Sequence, residues 1–170
     1  MSCTFLPEIV DPADGRKLTH EPNSVLLLRG PGHNLMRERA DGASEDSLTA
    51  LQTIEERLAK VAESQGLKLY AAQSNVEGYL INHIHAARRF GCIIFSPGAY
   101  CHYSYALYDA LLQTSSTPWL EVHIGNMYAK EDFRKSVLAP LCSGFIVGCG
   151  ALGYEMAMLR AKELIAERKK

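Results

Sequence analysis

The sequence predicts a three-layer α/β sandwich, a five-stranded parallel sheet with helices on both faces. Three observations predict it. Short apolar runs alternate with longer amphipathic segments along the chain. The runs lack strict polar–apolar alternation, as expected of strands buried on both faces. Most of the runs end in a cluster of Gly, Pro, Ser or Asn, the punctuation of a strand-to-helix turn. At 170 residues the chain suits one hydrophobic core.

The elements follow in order. Residues 1–24, with Pro7, Pro12, Gly15 and Pro22, read as an extended or irregular N-terminal extension. A domain spans 25–165, and 166–170 form a charged tail. Residues 25–28 are the first strand, stopped by Gly30-Pro31-Gly32. The polar stretch 29–47 is a long loop of the kind that covers a site. Ser47 caps a helix over 48–65, with Leu51, Ile54, Leu58 and Val61 on one face and Gly66 as its stop. Residues 67–72 form the second strand, and Ser74-Asn75 opens a helix carrying Leu80, Ile81, Ile84 and Ala87. Residues 92–95 are the third strand, cut by Ser96-Pro97-Gly98, and 103–112 the next helix. Residues 118–124 are the fourth strand, 131–138 a short helix ending near Pro140, and 145–147 the last strand. Gly148, Gly150 and Gly153 lead into the final helix. In open parallel sheets ligands collect beyond the carboxyl ends of the strands. Four polar clusters at those ends, residues 29–34, 73–75, 96–102 and 123–126, are therefore expected to converge.

Composition excludes several function classes. Eighteen basic against nineteen acidic residues provide no basic face for nucleic acid. Five cysteines without a CxxC pair argue against a disulfide framework and for a reducing compartment. The first 24 residues lack a signal-peptide pattern, and no apolar stretch reaches the roughly 18 residues of a membrane span. A cytoplasmic protein without a membrane partner is expected.

Two glycine motifs test poorly as nucleotide loops. GPGHN follows a strand but is neither GxGxxG nor a P-loop. GCGALGYE has the GxGxxG spacing, yet it sits at the last strand and its Glu155 follows too soon for a ribose contact. It reads as a tight strand–helix turn. His102 and His123 stand at or beyond strand ends, where an imidazole can move a proton or simply satisfy loop hydrogen bonds. Glu121 lies two residues before His123, so both side chains share one side of a strand. Glu121 and His123 would make two metal donors, but a third with recognisable spacing is missing, so no metal site is expected. Lys130 and Arg134, four apart on the short helix, either reach an anionic ligand or pair on the surface. Tyr105 and Tyr108, three apart, suggest core or an oligomer contact.

Taken together, LLLRGPGHN, QSNVEG (73–78), SPGAYCHYSYALYDAL (96–111), PWLEVHIGNMYAKEDFR (118–134) and GFIVGCGALGYEMAM (144–158) resemble the type II 3-dehydroquinate dehydratases over residues 25–161. The resemblance implies a flavodoxin-like fold with strand order 2-1-3-4-5, no cofactor, and a dodecamer built as a tetramer of trimers. It also implies loss of water from 3-dehydroquinate, or a related cyclic hydroxy-carboxylate, through an enolate. His102 matches the acid that protonates the leaving hydroxyl. Glu121, His123 and Arg134 match pocket or supporting positions, and Asp109 matches one that reaches the site from a neighbouring subunit. Asn34 matches a pocket position, and Ile124 and Gly125 match the backbone that holds the substrate carboxylate. Arg39 aligns with an arginine of the flap.

The sequence also departs from the family pattern. Arg29 and Gly32 replace asparagines, Ser96 replaces a second pocket asparagine, Lys130 an arginine, and Val76 a histidine. No tyrosine occurs from Gly30 to Leu69, whereas the family carries its proton-abstracting tyrosine in that flap. Two functions follow: a diverged dehydratase, or a catalytically inactive homologue that binds a small anionic metabolite or serves a structural or regulatory role.

Overall fold

The computed structural model describes residues 4–5, 20–33 and 51–168. Six strands, β1 (Thr4–Phe5), β2 (Glu21–Arg29), β3 (Lys68–Gln73), β4 (Phe90–Ser96), β5 (Trp119–His123) and β6 (Gly144–Val147), form one sheet. Their order is β1-β3-β2-β4-β5-β6 and every pairing is parallel. Apart from β1, two residues that extend the edge beside β3, this is the expected flavodoxin-like order 2-1-3-4-5. Four helices complete the layers: α1 (Leu51–Ser64), α2 (Glu77–Ala86), α3 (Tyr105–Gln113) and α4 (Leu152–Glu167).

Side chains alternate across each strand, so the sheet feeds two cores. Val25, Leu27, Cys92, Ile94, Leu120 and Val122 pack with α1 and α4. Leu26, Leu28, Ile93, Phe95 and Trp119 pack with α2 and α3. All seven residues of β4 are buried, the reason its sequence is a continuous run without period-2 polarity.

The elements are longer than the apolar runs that announce them. β2 begins at Glu21, inside the stretch read as an extension, and Ser24 closes its start by donating to the Glu21 carbonyl at 2.6 Å. The helix expected from 103 begins at Tyr105 with Ser104 as its cap, whose Oγ accepts from the Leu107 amide at 2.9 Å. Residues 98–102 before it form a 3-10 turn. The start of the helix expected from 48, and most of the loop 29–47, lie outside the described residues.

One expected element is absent. Residues 131–138 form no helix; the connection from β5 to β6 runs through 3-10 turns at 127–129 and 139–141. The backbone amides of that stretch bond elsewhere. The Ser136 hydroxyl accepts from the Leu138 and Ala139 amides, both at 3.1 Å, and the Val137 amide donates to the Cys101 carbonyl at 2.8 Å. Local side-chain acceptors of this kind compete with the helical ladder, and Pro140 has no amide to extend it. Lys130 and Arg134 therefore share no helical face.

The glycines after β6 work as a turn. Gly148 and Gly150 have φ of 78° and 58°, a region open chiefly to glycine. A Cβ on Gly153 would stand 3.3 Å from Ile146 and 3.4 Å from Val122, so its bareness lets α4 press on the sheet. Among the described residues no helix is long and apolar enough to cross a membrane. The thiols of Cys92, Cys101, Cys142 and Cys149 are free.

The carboxyl ends of β2 and β4 touch at Gly30, whose amide donates to the Ser96 carbonyl at 2.8 Å. A Cβ there would collide with the Pro97 carbonyl. Gly30→Ala should therefore lower stability by about 2 kcal/mol or more, because a backbone atom has to move. Gly78→Ala in α2 has open space and should raise stability by a few tenths to about 1 kcal/mol. Urea unfolding of both variants checks the contrast.

Candidate functional site

The turns that follow four strands meet at one end of the sheet. After β2, the Gly32 amide donates to Asn75 Oδ1 at 3.1 Å, and after β3, Gln73 Nε2 donates to the same oxygen at 3.0 Å. After β4, the Tyr100 hydroxyl donates to the Asn75 carbonyl at 2.9 Å. Beyond β5, the Gly148 amide donates to the His123 carbonyl and the Gly150 amide to that of Ile124, both at 3.0 Å. Asn75 is thus the common acceptor that draws the first three turns together.

Strand register decides which side chains join. Glu121 and His123 share the face of Trp119, on the α2–α3 side. Glu121 is fully buried, its carboxylate accepting from His123 Nε2 at 2.7 Å and from the Ser136 hydroxyl at 3.0 Å. A buried carboxylate persists only with such donors. Cys101 and His102 come to the same place from the turn after β4. The donor atoms of Cys101, Glu121 and His123 all lie within 4.8 Å of one another. His102 Nδ1 faces the Lys135 carbonyl at 3.1 Å and Cys101 Sγ at 3.3 Å. Burial pushes the Cys101 thiol up to about 12, and the Glu121 carboxylate adds to the shift.

An aromatic border encloses this group. The Phe133 ring stands edge-on to His102, with centroids 5.8 Å apart, and the Arg134 guanidinium lies 5.1 Å from its centre. Phe145 stands edge-on to both His123 and Tyr128. Arg134 pairs with Glu131 through Nε–Oε2 and at 3.5 Å through Nη2–Oε1. This pairing holds the exposed Glu131 carboxyl down to about 2, the Arg134 hydrogen bond being the largest cause.

Other expected site residues stand apart. Ser96 has the parity of Cys92 and Ile94, which face α1 and α4. Its hydroxyl donates to the Val122 carbonyl at 2.7 Å. A hydroxyl has one proton, so the Tyr154 phenol, 2.8 Å away, is the donor to Ser96 Oγ. Burial raises the Tyr154 phenol above its ordinary range, and the Ser96 bond opposes that only in part. Beside them the fully buried Arg29 pairs with Glu55 of α1, while its Nε and Nη1 have no hydrogen-bond partner among the described residues. Asp109 is exposed on α3, and Lys130 is exposed beyond the 127–129 turn. Among the described residues nothing lies within 4 Å of a Cβ added at Gly125, so they leave the backbone there open to approach. Asn34 and Arg39 lie outside the described residues.

Sequence reasoning missed Cys101, Phe133 and Ser136. Ser136 carried a faint signal, a serine three residues before a helix-like turn with proline. Cys101 and Phe133 carried none, since only the turns after β4 and β5 bring Cys101 to the Glu121–His123 pair and Phe133 to His102.

With this geometry in place, the comparisons with known proteins are specific. The dehydroquinase class II profile matches residues 23–162. A 3-dehydroquinate dehydratase of Pelotomaculum thermopropionicum is 42% identical over 142 residues, 82% of this chain and 96% of that protein. The type II dehydroquinase of Butyrivibrio crossotus superposes with a TM-score of 0.76 at 35% identity, covering 81% of this chain and 96% of that one. The type II dehydroquinase of Propionibacterium acnes gives 0.74 at 31% identity, covering 83% and 98%.

The Glu131–Arg134 pair generates a pH prediction. Its contribution is fully present above the ordinary carboxylate value of 4.5 and is lost as pH falls toward about 2, because the folded value is the lower one. Carboxyl NMR titration should find Glu131 near the lower figure, and Arg134→Gln should return it to the ordinary range.

Proposed function

The chain belongs to the class II dehydroquinase family, and on that premise we propose that it removes water from a small cyclic hydroxy-carboxylate, 3-dehydroquinate or a close relative. The observation that carries the reading is the His102 imidazole. A carbonyl only accepts, so the Lys135 contact puts a proton on Nδ1 and leaves Nε2 as the nitrogen for chemistry. In the doubly protonated ring, Nε2–H is an acid held in a fixed direction.

The reaction then has two steps. A base removes the proton beside the substrate ketone, and its electron pair forms an enolate. The enolate collapses to a conjugated enone as the C–O bond breaks, and the hydroxyl leaves as water with the proton of His102 Nε2. Glu121 orients His123, which would hold the polar edge of the ring, and the Ile124 and Gly125 backbone would hold the substrate carboxylate. Arg134 would exchange Glu131 for an anionic edge of the substrate, with Lys130 nearby in the chain and Asn34 as a further pocket residue. Arg39 would steady the base in the flap. Ser96 would act through its bond to Tyr154 and not by touching the ligand. The proposed unit is residues 25–165, which the profile match over 23–162 supports, and the proposed setting is the cytoplasm.

A second reading has its own support. No tyrosine occurs between residues 30 and 69, so the flap offers no phenol as base. Under that reading the same pocket holds an anionic metabolite without turning it over.

Purified protein mixed with 3-dehydroquinate, followed by the ultraviolet absorbance of the enone, decides between them. Turnover is expected, and His102→Ala should lower it by roughly 10²–10⁴-fold, the usual worth of a positioned acid. No turnover by folded wild-type protein would favour the binding reading, in which Arg134→Ala weakens ligand affinity alone.

The proposed assembly is a dodecamer, a tetramer of trimers, in which Asp109 serves a neighbouring site. The outer face of α3 supports it, with Tyr105 69% and Leu112 52% exposed around Asp109, more apolar surface than a solvent-facing helix needs. Light scattering should give twelve times the mass of one chain, and Tyr105→Asp should yield smaller species.

A further inference from the structure

We propose that Cys101, Glu121 and His123 form a binding site for a thiophilic divalent cation such as Zn²⁺. The sequence offered two donors and lacked a third; the fold supplies it from the turn after β4. The three donor atoms lie within 4.8 Å of one another. A tetrahedral ion with bonds of about 2.0–2.3 Å needs donor separations of about 3.3–3.8 Å, so modest side-chain rotation suffices.

The chemistry of the set agrees with that geometry. A thiolate and an imidazole are soft-to-borderline donors that favour Zn²⁺ or Co²⁺ over Mg²⁺ or Ca²⁺, and a carboxylate oxygen is an ordinary third ligand to Zn²⁺. The two anionic donors neutralise a dication, so the loaded site is electrically neutral in a place where Cys101 and Glu121 are both fully buried and a net charge is costly. Supports around the donors are already present. Ser136 holds the second oxygen of Glu121, and His102 Nδ1 stands 3.3 Å from the sulfur. Such outer contacts orient metal ligands. Three protein donors leave a fourth position for water, open on the side of His123, the one donor with exposed side-chain surface at 13%.

The exchange balances. The Cys101 thiol gives its proton to solvent as sulfur bonds the metal. His123 moves its Nε2 proton to Nδ1 and turns the Nε2 lone pair to the ion, opening its bond to Glu121. One proton is released per ion bound. Occupation thereby takes Glu121 and His123 away from any other ligand of the pocket. The site stands whether or not the protein is a dehydratase.

The test is a Co²⁺ titration of the full chain after reduction and chelator treatment. One Co²⁺ per chain is expected, with thiolate-to-cobalt absorption in the near ultraviolet, and Mg²⁺ should not displace it. Cys101→Ser should abolish the absorption and weaken binding by roughly 100-fold or more, beyond the usual loss from an outer-contact mutation. Cys142→Ser and Cys149→Ser should leave both unchanged. His123→Gln, at a partly exposed position, provides a second variant should Cys101→Ser fail to fold by circular dichroism. The proposal is overturned if folded wild-type protein binds no Co²⁺. It is equally overturned if the absorption survives Cys101→Ser, if it is lost in Cys149→Ser, or if His123→Gln binds as wild type.

Discussion

A carboxylate buried at the end of the sheet organises everything around it. Glu121 sits in β5 with no exposed surface, and an ionised group there needs donors from the protein itself. His123 supplies one from the same strand face and Ser136 the other from the loop to β6. The Ser136 hydroxyl in turn accepts two amides of its own loop. One charge thus fixes an imidazole, a hydroxyl and the path of the chain, and it explains why residues 131–138 form no helix.

The same loop closes on the turn after β4. The Val137 amide and the Cys101 carbonyl join them, and the Lys135 carbonyl takes His102 Nδ1. That one proton of His102 sits on Nδ1 is therefore decided by a residue 33 positions away, through a backbone atom whose identity no side chain reveals. Phe133 adds a wall between His102 and Arg134, placing an apolar face beside the two groups of the proposed chemistry.

The opposite face of the sheet holds a second polar group. Arg29 and Ser96 are register partners on adjacent strands, both turned toward α1 and α4. Their partners, Glu55 and Tyr154, come from those two helices. Arg29 and Ser96, two of the three positions where the sequence departs from family asparagines, are thus neighbours and answer to neighbouring helices. Period-2 alternation separates them from Glu121 and His123, even though all four stand at the same end of the sheet.

The family resemblance implied the strand order; the sequence by itself determined the layers and the end of the sheet where polar groups gather. Those depend on hydrophobic periodicity and on Gly, Pro and Ser at strand ends, and both are local properties. It also made the Glu121–His123 pair legible, because residues two apart on a strand share a face. Tertiary structure alone decided the rest. It brought Cys101 to that pair and turned Ser96 into the core. It replaced a helix with a loop. Each of these depends on contacts between turns distant in sequence, where hydrogen-bond partners are chosen by position in space and not by spacing along the chain.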